Sequence, residues 1–188
     1  MIRQVTAIKN PEQLPAEYKT VDRSGIHPRS ATPTLVEIVQ NWQQLSPSTQ
    51  LLVTNVLARW PTEFTYDSPG GFFKLDYDTG GANAVSTVDG NSTGIPDFVE
   101  KCALYCDSSH TKHLELGYLP PPSDGGLGGD TKYDVYFEEM VYYGYAQPEQ
   151  PGPQPWSDYT SYLVLNRNFL GFPPNSDPEG DVAGAAKA

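Results

Sequence analysis

In the stretch VDGNSTGIPDFVE, Val88 to Glu100, oxygen-bearing side chains recur at the spacing of a twelve-residue calcium loop. Such a loop takes oxygen ligands at positions 1, 3 and 5, a glycine at 6 for the sharp turn, a backbone carbonyl at 7 and a carboxylate at 12. Asp89, Asn91, Thr93, Gly94, the carbonyl of Ile95 and Glu100 fall on those places in order, and Asp97 stands at position 9. Hard oxygen donors at this spacing suit Ca2+. Two features depart from the EF-hand pattern. Thr93 replaces the usual Asp or Asn, and Leu75–Ser86 reads as strand and coil, so no helix enters the loop. An ion-free reading makes Asp97 a helix cap and Glu100, three residues on, the second half of a capping box. That reading employs only two of the acidic positions, and it is compatible with an ion.

Other clusters carry weaker chemistry. Asp124 and Asp130 flank GGLGG, and Asp177, Glu179 and Asp181 cluster in SDPEGD; both sets can supply calcium oxygens or simply be solvated acidic loops. Cys102, Cys106, His110 and His113 share a helical face, which suits a soft metal. Buried thiols, with histidines near a helix C-terminus where cations are favoured, account for the same residues without one. Four apart on a helix, the two cysteines are poorly placed to bridge each other. Asn166 and Asn168, just past a strand, suit capping or binding equally. The chain has three histidines, none in H-E-x-x-H, and neither a G-x-S-x-G nor a P-loop occurs.

The elements that must position these residues are readable from periodicity. Leu35, Ile38, Val39 and Trp42 recur at helical spacing behind Thr32-Pro33, and Leu52, Val53, Val56, Leu57 and Trp60 do so behind Ser46-Pro47. Strands are expected at Phe72–Asp78, at 132–140 and at 161–169, and a helix from about Phe98 to Leu116 closed by Gly117. Helices, strand, helix, strand, strand is the order of an α+β domain. Residues 1–33 are polar and punctuated by proline, an extended N-terminal arm; residues 34–188 form one domain. The stretches 120–130 and 146–158 read as long Gly/Pro-rich connections.

Composition bounds the partners. The net charge of −11 leaves no basic face for nucleic acid or an anionic membrane surface. No apolar run reaches the ~20 residues of a membrane span, and MIRQVTAIKNPEQ lacks the apolar core of a signal peptide. Gly (17) and Pro (18) make up about a fifth of the chain, which predicts turn-rich connections rather than wholesale disorder.

The runs SPGGFFKLDYDTGGANAV, DGNSTGIPDFVEKCALY, LGYLPPPSDGGLGGDTKYDVYF and YGYA, with LPAEYK and TPTLVEIVQNWQQLSP before them, resemble bacterial secreted zinc metallopeptidases of the zincin class, from Leu14 to Lys187. The resemblance implies that Pro96–Leu116 is the backing helix of a zincin upper subdomain, that the three strands form its sheet, and that GDVAGAAK leads into the active-site helix. In such proteins H-E-x-x-H follows directly, and it is missing from this sequence along with the lower subdomain. Without zinc ligands and a general base, water activation by zinc has no machinery, so no catalytic residue is carried over. The expected function is a non-catalytic, calcium-binding extracellular protein for structure or assembly, self-associating into an oligomer or filament through the N-terminal arm, since such an arm frays unless another chain ties it down. The alternative is the N-terminal fragment of an active secreted metallopeptidase. A third reading, a surface- or carbohydrate-binding module, would use the tyrosines of YDVYFEEMVYYGYA, for which strand packing is the simpler account.

Overall fold

The structure, a computed structural model, describes residues 30–152 and 158–170. Helix α1 spans Thr32–Gln40, a single 3-10 turn Trp42–Gln44 follows, and α2 spans Pro47–Val56. Strands β1 (Phe64–Asp67) and β2 (Phe73–Tyr77) precede α3 (Asp97–Glu115), and β3 (Tyr133–Glu138), β4 (Gly144–Pro151) and β5 (Tyr159–Asn166) complete the order. Among the described residues the fold is mixed α+β, with three α-helices and one five-stranded mixed sheet.

Local chemistry sets the helix ends. Ser46 Oγ accepts the Thr49 N–H at 3.2 Å and Pro47 opens α2, a capped N-terminus with no donor wasted. At the other end of α3, Gly117 takes φ +86°, its N–H donates to Leu114 O at 3.0 Å, and Tyr118 N–H reaches His113 O at 3.1 Å. This pair of bonds is a Schellman motif, and the expected glycine stop is present.

The sheet runs β1-β2-β3-β5-β4, with β2, β3 and β5 mutually parallel and β1 and β4 antiparallel at the two edges. The three strands expected from periodicity are the parallel centre. The edges were not legible. β1 has four residues, mostly exposed, and owes its extension to pairing with β2. β4 corrects the expectation of a loop over 146–158: residues 146–151 are strand, Pro148 and Pro151 included. Proline lacks the N–H of a ladder bond and is tolerated at an edge or a bulge, and the register shifts between these two prolines.

Two apolar clusters sandwich the sheet. On one side Leu35 and Ile38 of α1 and Val53 of α2 meet Tyr136, Tyr162 and Val164. On the other, Phe98, Val99, Cys102 and Ala103 of α3 meet Phe73, Leu75, Val135 and Phe137. Among the described residues no helix is long and apolar enough to cross a membrane.

At Gly144 the β4 backbone passes so close to β5 that a Cβ would lie 2.6 Å from Val164 O and 3.2 Å from Leu165 Cδ2. Backbone cannot yield as a side chain can, so Gly144→Ala is expected to destabilise the fold by about 1–3 kcal/mol, read as a lower urea midpoint at unchanged m; an unchanged midpoint would show that β4 is not held against β5 in this way.

Candidate metal centre

The loop between β2 and α3 folds back on itself at the predicted donor positions. Asp89 Oδ1 accepts Thr93 N–H at 3.1 Å and Oδ2 accepts Gly94 N–H at 2.9 Å. Gly94 has φ +85°, the sharp turn that the sixth position of such a loop requires. The Thr93 hydroxyl lies 2.8 Å from Glu100 Oε1, 3.1 Å from Asn91 Oδ1 and 3.4 Å from Ile95 O. Asn91 Nδ2 donates to Glu100 Oε2 at 2.7 Å. Thus Asn91, Thr93, the Ile95 carbonyl and Glu100 form one knot of oxygens, and Asp89 is tied to it through the Thr93 N–H. Turning over the Asn91 amide exchanges its nitrogen for an oxygen at the Glu100 side, which a cation there would need.

The capping-box reading is corrected by the same geometry. Pro96 is the N-cap of α3 and no side chain caps the helix. Asp97 begins the helix, and its Oδ2 accepts Gly90 N–H at 3.0 Å, while its own N–H donates to Val88 O at 2.8 Å. Glu100 turns to Asn91 and Thr93 rather than to the N-cap. Both acids serve the loop, and their charge in the first turn also suits the helix dipole. Among the described residues no three His, Cys, Asp or Glu side chains gather closely enough to hold a metal by themselves. The donor set here is mixed instead: carboxylate, amide, hydroxyl and carbonyl oxygens, a set that fits Ca2+ and is poor for zinc.

Asp124 and Asp130 are placed elsewhere, in a charge cluster on the α1/α2 side of the sheet. Asp124 pairs with Arg59 Nη2 at 2.7 Å, and Asp130 lies 3.6 Å from Lys74 Nζ and accepts Lys132 N–H at 2.7 Å. Arg59 also holds Glu149, at 2.8 Å, and Asp134, which Lys74 meets from the other side at 2.8 Å. Both acids thus face resident cations, an arrangement that competes with calcium. Asp177, Glu179 and Asp181 lie outside the described residues.

Burial works against the Lys74 and Arg59 charges, but the surrounding carboxylates more than offset it and hold both cations charged. Asp76, one residue pair along β2 from Lys74, has the opposite fate. It is 6% exposed and its Oδ2 has no hydrogen-bond partner among the described residues; burial, opposed by Lys74, pushes its carboxyl up to about 6. Asp134 and Arg59 also act on it, in opposite senses.

Cys102 and Cys106 are free thiols facing the sheet, pushed up by burial, Cys106 to about 12. Such thiols are poor metal ligands. His110 stacks on Phe72 at 3.8 Å between centroids, so packing accounts for it. Asn166, 1% exposed, donates to Met140 O at 2.7 Å and accepts the N–H groups of Asn168 and Phe169, a strand-end cap rather than a binding residue.

No family model, curated protein or solved structure matches the chain, so the functional reading rests on this geometry. The charge cluster of Arg59, Lys74, Asp76, Asp134 and Glu149 escaped the sequence reading. Its trace was available in FFKLDY and YDVYF, where charged residues alternate inside strands too apolar to be half-solvated.

Two measurements probe the cluster. Arg59→Met leaves Asp134 with Lys74 alone and strips Asp124 and Glu149 of their cation, so a loss of about 3–5 kcal/mol is expected in urea unfolding; a loss below about 1 kcal/mol would show that the pairs are dispensable. For Asp76 the folded carboxyl titrates above its unfolded value of 3.8, so its contribution is present below about pH 4 and lost as pH rises through about 6. Asp76→Asn is therefore expected to gain stability over the parent at pH 8, on the order of 2 kcal/mol, and to lose that gain near pH 4; a pH-independent difference would overturn the assignment.

Proposed function

We propose that the chain is a calcium-binding domain whose loop Asp89–Glu100 takes one Ca2+ ion and uses it to fasten the start of α3 to the turn leaving β2. The observation that carries this reading is the gathering of Asn91, Thr93, Ile95 O and Glu100 into one hydrogen-bonded knot, with Asp89 tied to it through the Thr93 N–H and Gly94 at positive φ beside it. The purpose would be structural. The loop links β2 to α3, the helix packed behind the parallel strands, so an ion there would fasten the last part of a long excursion whose earlier part is tied by Glu63 to Thr79, by Asn83 to Glu139 N–H and by the buried Val85. Extracellular calcium, at millimolar levels, suits an exposed loop of mixed neutral and acidic donors, since modules outside the cell bind at ~10⁻⁴–10⁻³ M.

The zincin-like scaffold belongs to the same proposal. It is supported by the β2–α3–β3 unit, in which one long helix backs parallel strands as the resemblance implies. On that scaffold the domain is non-catalytic, or else the leading part of a secreted zinc metallopeptidase, and an in-frame H-E-x-x-H downstream of Ala188 in the source genome would decide for the latter. Assembly through the N-terminal arm is carried by sequence alone, since residues 1–29 lie outside the described residues.

Calcium binding to the folded state alone raises stability by RT ln(1 + [L]/Kd), about 2.7 kcal/mol at a hundredfold excess over Kd. Melting in saturating calcium is therefore expected several degrees above melting in EDTA, and Glu100→Gln, which loses the charged ligand at position 12, should abolish most of that difference while leaving the EDTA value nearly unchanged. Equal melting temperatures with calcium and with EDTA would remove the proposal.

A further inference from the structure

Phe64 opens the edge strand β1, yet 47% of it stays exposed. Its register partner on β2 is Tyr77, and the two rings stack with centroids 5.5 Å apart at 26°. Tyr77 thus covers one face of the Phe64 ring and leaves the other open. The pair lines an open hollow of about 200 Å³ together with Thr79, Thr87, Asp89 and Pro96. Tyr77 itself is 3% exposed, and its hydroxyl makes no hydrogen bond among the described residues; burial alone pushes the phenol up. A buried tyrosine hydroxyl ordinarily finds a partner, and this one belongs to a ring at the wall of the hollow. Thr79 Oγ1 donates to Glu63 Oε2 at 3.1 Å and keeps its lone pairs, and each Asp89 oxygen accepts one N–H, which leaves it able to accept another.

The lining therefore joins one open aromatic face to hydroxyl and carboxylate groups with unused hydrogen-bonding capacity. A sugar ring has the complementary chemistry. Its C–H side lies against the negative face of an aromatic ring, and its hydroxyls both donate and accept, as those of Tyr77, Thr79 and Thr87 do. Charge narrows the class. Among the described residues no Lys or Arg lines the hollow, and Asp89 with a net charge of −11 disfavours sulfated and uronic-acid sugars. Size narrows it further, since pockets that enclose a drug-sized ligand hold roughly 300–1,000 Å³ and this one has room for a single ring.

We propose that the hollow binds one neutral hexopyranose unit, free or within a longer glycan, with Phe64 as the stacking platform and the Tyr77 hydroxyl as a hydrogen-bonding partner. These residues lie outside YDVYFEEMVYYGYA, where Tyr136, Tyr142 and Tyr145 are buried. Asp89 is shared with the calcium loop, but the platform stands on the sheet, so the sugar site does not depend on an ion there.

The test titrates the full chain with the methyl glycosides of glucose, galactose, mannose and N-acetylglucosamine and with the β-1,4 tetraoses of glucose and N-acetylglucosamine, followed by saturation-transfer NMR in calcium and in EDTA. At least one of these sugars is expected to bind, with transfer strongest at its ring C–H protons. Phe64→Ala is expected to weaken that binding about tenfold, the scale of one lost stacking platform, and Tyr77→Phe, which keeps the ring, several-fold, both with unchanged circular dichroism. Binding in either buffer supports the site, and sugar binding without a calcium-dependent melting shift would remove only the calcium reading. Binding of none of the sugars, a stronger response to a heparin oligosaccharide, or equal binding by Phe64→Ala and Tyr77→Phe would overturn the proposal.

Discussion

Asp134 sits in the middle of β3 with its side chain 1% exposed, and a carboxylate in that position is tolerable only because Arg59 and Lys74 reach it from two sides. The strand register makes this meeting possible: β2 and β3 run parallel with Lys74 directly beside Asp134. Arg59 arrives from the segment after α2, its guanidinium 4.9 Å above the Tyr162 ring, and spreads to Asp124 and Glu149. One acid thereby links β2, β3, the edge strand β4, the 120–130 connection and the helical layer. Buried charge pairs stabilise less than apolar packing of equal volume would, but they are intolerant of a wrong partner, so this cluster specifies how the layers meet more than how firmly.

The other side of the sheet follows a different logic. There α3 makes an apolar contact with the sheet, and polar fastening holds each of its ends: the Schellman turn at Gly117 and the oxygen knot at Asp89–Glu100. An ion in that knot would act on the same helix that the sheet buries, joining local loop chemistry to the packing of the core. Asp107, midway along α3, adds a further tie by accepting the Ser68 hydroxyl at 2.7 Å and Gly70 N–H at 2.6 Å, which brings the turn before β2 onto the helix.

What could be read beforehand follows from where the information lies. The helices and the central strands announced themselves because periodicity and caps are local: Ser46-Pro47, Gly117 and the apolar runs of β2, β3 and β5 need no partner to be recognised. β1 and β4 did not, since an edge strand of four exposed residues, or one carrying two prolines, is extended only by what it pairs with. Asp124 illustrates the limit at a site. Between Ser123 and Gly125 it looks like a free acid, and its partner Arg59 is 65 positions away in the chain.

By itself the sequence determined the oxygen pattern of the Asp89–Glu100 loop, because its oxygen-bearing side chains, its turn glycine and the helix that follows all lie within one short stretch whose geometry is closed by local bonds. Only the tertiary structure decided that Asp97 and Glu100 serve the loop rather than a capping box, that Asp124 and Asp130 face cations of the protein itself, and that Leu163 and Leu165 of β5 are only half-covered among the described residues. Each of those outcomes depends on which distant side chain or strand arrives alongside, and a linear pattern of residue types does not encode that arrival.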